Sequence, residues 1–295
     1  MRGVSFDLLR TFLAVYRSGS VSRAAELLGV SQPTVTAHVK SLEADLDRPL
    51  FARVPRGMAP TAAADQLAAR ITPAIDSLED WVRTDLDEPG DRFGRAVHLG
   101  GPAELLCTRV LPSLSPLIVR GLQLRTRFGL PDDLLTDLSG GGLDLVVSSL
   151  RPRRRGLRVE ALADEEFALV AAPAWTGDDI DRAPLISYAE NLPILRRYWR
   201  TVFGTRLTRR PAVVAPDLRG VLAAVAAGAG ITVLPTYLCA AELADGRLHL
   251  LRRPPIPPIN TLFLADRTGT AHPATTAVRT HLLQHGHDLT AATAA

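Results

Sequence analysis

The stretch Ser31-Gln32-Pro33-Thr34-Val35-Thr36 puts an amide and several hydroxyls within six residues, and Lys40 follows one helical turn after Thr36. At about 100° per residue, Thr34, Thr36, Ala37, Lys40 and Ser41 fall on one side of a helix, with Gln32 near its entrance and Val35, Val39, Leu42 and Leu46 on the other side. An ordinary solvated helix carries long charged side chains on its outer face. Small ones let the helix axis approach a partner closely, and Gln, Thr and Lys hydrogen-bond base edges and phosphate oxygens. The chemistry indicated is recognition rather than catalysis.

Such a face works only if neighbouring elements hold it in place. Ser31 is a natural N-cap and Pro33 falls in the first turn, where its missing N–H costs little. Ahead of it, Ser5 opens a helix with Phe6, Leu9, Phe12, Leu13 and Tyr16 on one face, stopped at Ser18-Gly19-Ser20. A second helix with Ala24, Ala25 and Leu28 inward ends at Gly29. Two short helices joined by a glycine turn describe a helix-turn-helix, although a solvated helical hairpin shows the same spacing. Beyond it, "RPLFARVPRGMAP" offers two extended pieces with Arg53 and Arg56 near the tip, a wing able to reach the backbone or minor groove.

The fixed register of Ala24, Ala25, Leu28, Ser31, Gln32, Pro33, Val35, Leu42, Glu43, Leu46, Leu50, Phe51, Arg53 and Thr61 resembles the N-terminal signature of the LysR-type transcriptional regulators. The sequence departs from that pattern at Asp47 and Ala64, where the family has glycine. Asp47 must then take a left-handed turn with a Cβ, which Asp tolerates better than most residues. The resemblance implies an α/β chain in three parts. A mostly α winged helix-turn-helix spans 1–60, a long linker and dimerisation helix spans 61–90, and a two-lobed α/β effector domain spans 91–295. That domain resembles periplasmic binding proteins, with lobe 1 at about 91–164 and 265–295 and lobe 2 at about 165–264.

In the linker, Thr61 can cap a helix in which Leu67, Ile71, Ala74, Leu78 and Trp81 recur as a heptad-like seam. A single core-facing helix would show the same pattern, so pairing with a second chain comes from the resemblance. Pro73 predicts a kink or break.

From residue 91 onward, strand-like runs such as "RAVHLGG", "LDLVVSSL", "EFALVAAP" and "GITVLP" alternate with helical patterns, including Glu104–Leu117 and Leu218–Ala227. Alternation of this kind predicts mostly parallel sheets covered on both faces. Ligands then gather at the carboxyl ends of strands, against helix N-termini. The residues at those positions are Gly101, Pro102, Ala103, Glu104, Ser148, Ser149, Tyr188, Asn191, Thr232 and Pro235. The resemblance implies that many relatives place a small hydroxyl residue near Glu104, where it greets a carboxylate. A carboxylate there repels an anionic effector or receives a cationic or hydroxylated one, unless it serves only as a helix cap or solvated charge.

Residues 1–60 carry eight basic against five acidic side chains, and residues 61–90 two against seven, so only the head is suited to a polyanion. Cys107 and Cys239 lie far apart in apolar settings, with neither disulfide nor metal spacing. The N-terminus reads as an amphipathic helix rather than a secretion signal, which points to the cytoplasm. The uncharged run 220–241 is broken by Gly228, Gly230 and Pro235 and predicts a helix, a turn and a strand rather than a membrane span. No nucleophile elbow, phosphate loop or dinucleotide fingerprint occurs, and the histidines at 281, 285 and 287 lack partners for a metal set, so no catalytic residue, cofactor or metal is expected. The expected partners are double-stranded DNA with an interrupted inverted repeat, a small-molecule effector, and a second copy in a homodimer or homotetramer. RNA polymerase is a further candidate and a membrane is not. The alternative is a solute-binding type of small-molecule binder whose N-terminal helices serve only dimerisation.

Overall fold

The computed structural model describes residues 4–54, 57–83, 93–269 and 271–292. In chain order the N-terminal elements are α1 (Phe6–Ser18), α2 (Val21–Leu28), α3 (Gln32–Leu46), β1 (Phe51–Val54), β2 (Gly57–Pro60) and α4 (Ala62–Arg83). There follow β3 (Val97–Gly101), α5 (Ala103–Leu105) and, after a π-helical stretch Leu106–Val110, α6 (Leu111–Ser113) and α7 (Ser115–Ile118). Next come β4 (Leu124–Phe128), α8 (Pro131–Ser139), β5 (Leu145–Ser148), β6 (Leu157–Ala171), β7 (Ile186–Ser187), α9 (Pro193–Tyr198) and β8 (Val213–Val214). The chain continues with α10 (Leu218–Ala226), β9 (Ile231–Pro235), α11 (Thr236–Ala244), β10 (His249–Leu250), β11 (Ile259–Arg267), α12 (Pro273–Gln284) and α13 (Gly286–Thr290). Two compact units result: Met1–Gly101 with Leu117–Glu160 and Phe263–Thr280, and Pro102–Pro116 with Ala161–Leu262 and His281–Ala295.

In the first unit the head is fixed by local chemistry. Ser5 accepts from the Asp7 N–H, Ser20 from Arg23 and Ser31 from Thr34, so each helix start has a side-chain acceptor for an orphan donor. Gly19 and Gly29 end α1 and α2 in the left-handed conformation. Asp47 ends α3 the same way at φ 51°, as its position in the turn requires. Phe12, Val15, Ala24, Val35 and Leu42 are fully buried, and the Phe12 and Phe51 rings meet at a 45° tilt with centroids 5.6 Å apart. Linker helix α4 joins this core through Ala64, Ala68, Thr72 and Ile75, while Ala74 and Leu78 remain exposed. The helix runs through Pro73 rather than ending there.

The sheet of the first unit has the order β11-β5-β3-β4, with β3 parallel to β4 and β5, and β11 antiparallel to β5. Leu134, Leu135 and Leu138 of α8 pack with Leu143, Val146 and Ala265. Beneath the sheet edge, Arg95 holds Asp144 at 2.9 and 3.2 Å, and the His98 N–H donates to the same carboxylate at 2.8 Å. Burial acts to raise the Asp144 pKa, but Arg95 and the His98 N–H outweigh it and hold the group below the usual carboxylate range. The head seats on α8: Arg17, only 7% exposed, donates to the Ser139 carbonyl at 3.4 Å. A Cβ on Gly140 would stand 2.7 Å from Leu27 Cδ2, so a larger residue there would make the Leu27 side chain move. Tyr16 donates to Asp65 Oδ1 at 2.9 Å, and Arg155 reaches that oxygen at 3.6 Å.

In the second unit the end of β6 lies antiparallel to both β9 and β10, and β7 is parallel to β8. The expectation of mostly parallel strands is therefore corrected here, because an apolar run buries equally well in either direction and carries no record of which way its neighbour runs. Leu169, Ile231, Val233, Leu195, Tyr198 and Trp199 form the core. Gly230, at φ 154°, approaches the Pro184 carbonyl too closely to admit a Cβ. The uncharged run 220–241 folds as α10, a turn, β9 and the start of α11. Among the described residues no helix is long and apolar enough to cross a membrane.

Candidate functional site

On α3, Val35, Val39 and Leu42 are buried and Leu46 is half-buried, which leaves Ser31, Gln32, Pro33, Ala37, Lys40 and Ser41 exposed and Thr34 and Thr36 half-exposed. Ser31 Oγ lies 2.8 Å from Thr34 Oγ1, and Thr36 donates to the Gln32 carbonyl at 3.0 Å. These bonds hold the hydroxyls close to the helix surface, beside the exposed side chains of Gln32 and Lys40. Glu43 does different work: its Oε1 accepts from the N–H groups of Leu50 at 2.7 Å and Phe51 at 3.1 Å, tying the end of α3 to β1. Thr61 donates to the Pro49 carbonyl at 2.9 Å and accepts from the Ala64 N–H, so it anchors the start of α4. Arg53 pairs with Met58 in the β1–β2 hairpin; Arg56 lies outside the described residues.

The expected effector residues divide between the units. Gly101, Ser148 and Ser149 belong to the first, where Ser148 spends its hydroxyl on the Leu150 carbonyl at 2.6 Å. Pro102, Ala103, Glu104, Tyr188, Asn191, Thr232 and Pro235 belong to the second. Thr232 is buried and donates to the Ile186 carbonyl at 2.7 Å, so its hydroxyl braces β9 instead of facing outward. Asn191 is exposed and Pro235 is buried at the entrance to α11.

Glu104 and Tyr188 share an electrostatic neighbourhood with two residues that sequence reasoning passed over. Glu165 on β6 is 6% exposed, accepts from Asn260 Nδ2 at 3.0 Å, and is pushed up to about 7, by burial first and then by the Glu104 charge. Tyr237, at the start of α11, is 4% exposed and its hydroxyl has no hydrogen-bond partner among the described residues. Burial raises the pKa of Tyr188 and Tyr237, and the charges of Glu104 and Glu165 raise both further. Burial also raises the Glu104 carboxyl, against the opposing pull of its own backbone N–H. The signal that could have exposed Glu165 was a charged pair directly joined to the apolar run "FALVAA". A separate cleft of about 340 Å³ in this unit, lined among others by Phe167, Leu243, Arg252 and Arg253, includes none of the expected residues. Cys239 is buried, and burial pushes its thiol up to about 12, which leaves it unreactive.

Residues 6–65 match the bacterial regulatory helix-turn-helix protein family of lysR type, and residues 95–287 match the LysR substrate binding domain. The chain belongs to the LysR family. Its LysR-type architecture joins a DNA-binding helix-turn-helix to an effector-binding domain, and the protein is a transcriptional regulator of that kind. It is 44% identical over 278 residues to the HTH-type transcriptional regulator AbaB of Streptomyces antibioticus, covering 89% of this chain and 92% of that one. The HTH-type regulator PtxR of Pseudomonas aeruginosa is 30% identical over 261 residues, covering 83% and 81%. ArgP from Mycobacterium tuberculosis has the same fold, with a TM-score of 0.61 at 22% identity over 93% of this chain and 96% of that one. LysG from Corynebacterium glutamicum, solved with bound effector Arg, gives 0.61 at 18% identity over 95% and 97%. LysR regulators bind DNA and small-molecule effectors and form oligomers.

Proposed function

We propose that α3 of this LysR regulator enters the major groove and that Gln32, Thr34, Thr36 and Lys40 meet base edges there, with Ser31 and Pro33 at the helix entrance. Arg53 and Arg56, on either side of Pro55 in the sequence, take phosphates or the neighbouring minor groove. The observation that supports this reading is the exposed, small and polar face of α3, opposite an apolar stripe buried at Val35, Val39 and Leu42. Exposed Ala74 and Leu78 on α4 support pairing with a second copy, so the operator is an interrupted inverted repeat read by a homodimer or by a pair of dimers. The working division is a head over 1–60, a linker over 61–90 and an effector domain over 91–295, acting in the cytoplasm where its operator lies. A small molecule bound in the second unit, with Pro102, Ala103, Glu104, Tyr188 and Asn191 as the candidates that are not buried, biases the arrangement of the heads, and hence any contact with RNA polymerase.

The experiment is binding to the duplex upstream of the coding region, with random duplex as competitor, at two salt concentrations. Selective binding with a steep salt slope is expected. Gln32→Ala should lose discrimination by about 1–3 kcal/mol, whereas Arg56→Ala should weaken all sequences alike. Equal losses on specific and random duplexes for both variants would refute this assignment.

A further inference from the structure

We infer that Glu104, Glu165 and the hydroxyls of Tyr188 and Tyr237 form a receptor for a small organic cation, a primary amine or a guanidine. The inference deepens the effector reading above and rests on it. The four residues come from separate places in the chain: Glu104 opens α5 after β3, Tyr188 follows β7, Tyr237 opens α11 after β9, and Glu165 lies within β6. All belong to the second compact unit.

The countercharges nearest to them are already engaged. Arg219 grips Asp217 at 2.6 and 3.0 Å. Arg109 donates to the Tyr237 carbonyl at 2.8 Å with its guanidinium 5.6 Å from that ring, and Arg197 holds Asn260 Oδ1 at 3.2 Å and the Ile259 carbonyl. Among the described residues no salt bridge reaches Glu104 or Glu165. A buried hydroxyl without a partner and a buried carboxylate without a cation each cost free energy that a ligand can relieve. An ammonium or guanidinium ion relieves both, because it brings N–H donors to oxygens that accept and charge to groups that repel each other. A carboxylate ligand would add a third negative charge.

The protonation state supplies an independent readout. Asn260 on β11 donates to Glu165, and β6 pairs with β9 with Phe167 opposite Pro235, which sets Glu165 beside the start of α11 where Tyr237 lies. The charges of Glu104 and Arg197 act on Glu165, and its own charge acts on Tyr188 and Tyr237. With its carboxyl pushed up to about 7, a bound cation favours the charged form, so binding at pH 7 expels protons and affinity rises with pH.

The full-length protein is screened by thermal shift with putrescine and agmatine, and with succinate as the dicarboxylate control. Stabilisation by an amine or guanidine, with affinity at least tenfold weaker in both Glu104→Gln and Glu165→Gln, is expected. Because a variant can fail to fold, wild-type protein is also titrated by calorimetry in two buffers of different ionisation enthalpy, where proton release is expected. Stabilisation by succinate alone overturns the cation assignment and leaves the effector domain standing. No shift with any of the three overturns the cation receptor, while selective operator binding in the preceding section tests the regulator reading separately. Amine binding that is unchanged in both variants and releases no protons also overturns it.

Discussion

Replacing Glu165 by Gln tests the buried carboxyl directly. The amide keeps an oxygen for the Asn260 donor and nearly the same volume, so the main thing removed is the ability to ionise. In the folded protein the group titrates near 7 rather than 4.5, chiefly because burial disfavours its charge. A carboxyl with a raised folded pKa contributes stability that is fully present below 4.5 and is lost as pH rises through about 7. At about 1.4 kcal/mol for each tenfold change in proton affinity, that loss amounts to about 3 kcal/mol relative to the Gln variant. Urea unfolding at pH 5 and pH 8 is followed by fluorescence in a Trp81→Phe background, where the remaining Trp175 and Trp199 both lie in the unit that contains Glu165. Since part of that loss has already occurred at pH 5, the wild type should lose about 2.5 kcal/mol against Glu165→Gln between the two pH values. An equal stability difference at pH 5 and pH 8 would show that the carboxyl titrates as an ordinary surface group.

Other perturbations test separate parts of the molecule. Glu43→Ala removes the acceptor for the Leu50 and Phe51 N–H groups and should cost the head about 2 kcal/mol, weakening binding to specific and random duplexes alike in gel-shift assays. Asp144→Ala leaves Arg95 buried and should cost about 3–5 kcal/mol in urea unfolding. In the wild type the stabilisation from Asp144, whose pKa is lowered, is present above 3.8 and lost as pH falls through the folded value. Gly230→Ala should destabilise more than Gly228→Ala in thermal melts, since both glycines have positive φ but only Gly230 abuts a backbone carbonyl.

Where local chemistry decides the structure, the residues were legible. The caps at Ser5, Ser31 and Thr61 and the left-handed Asp47 follow from side chains acting on their own backbone within a few positions. The stripe that α4 buries was less legible. Apolarity singled out Leu67, Ile71, Ala74, Leu78 and Trp81, yet Ala64, Ala68, Thr72 and Ile75 pack innermost, because small side chains let α4 lie close to the head. The effector domain shows the limit from the other side. Strand ends were readable, but nothing local announces that the Ser148 and Thr232 hydroxyls turn to nearby carbonyls. Nor does it announce that Glu165 is buried while Glu166 beside it takes the other face of the strand. Long-range packing sets those outcomes, as it sets strand direction.

The seat of the head on α8 bears on attempts to build chimeric regulators by grafting one protein's operator preference onto another's inducer response. A cut at residue 60 would separate Arg17 and Leu27 from the Ser139 carbonyl and the glycine at 140 that receive them. A donor head with a larger residue opposite Gly140, or without a guanidinium for Ser139, would join correctly by sequence and still sit badly. Productive grafts should therefore carry the 136–141 segment along with the head, treating two stretches far apart in the chain as one inheritable part.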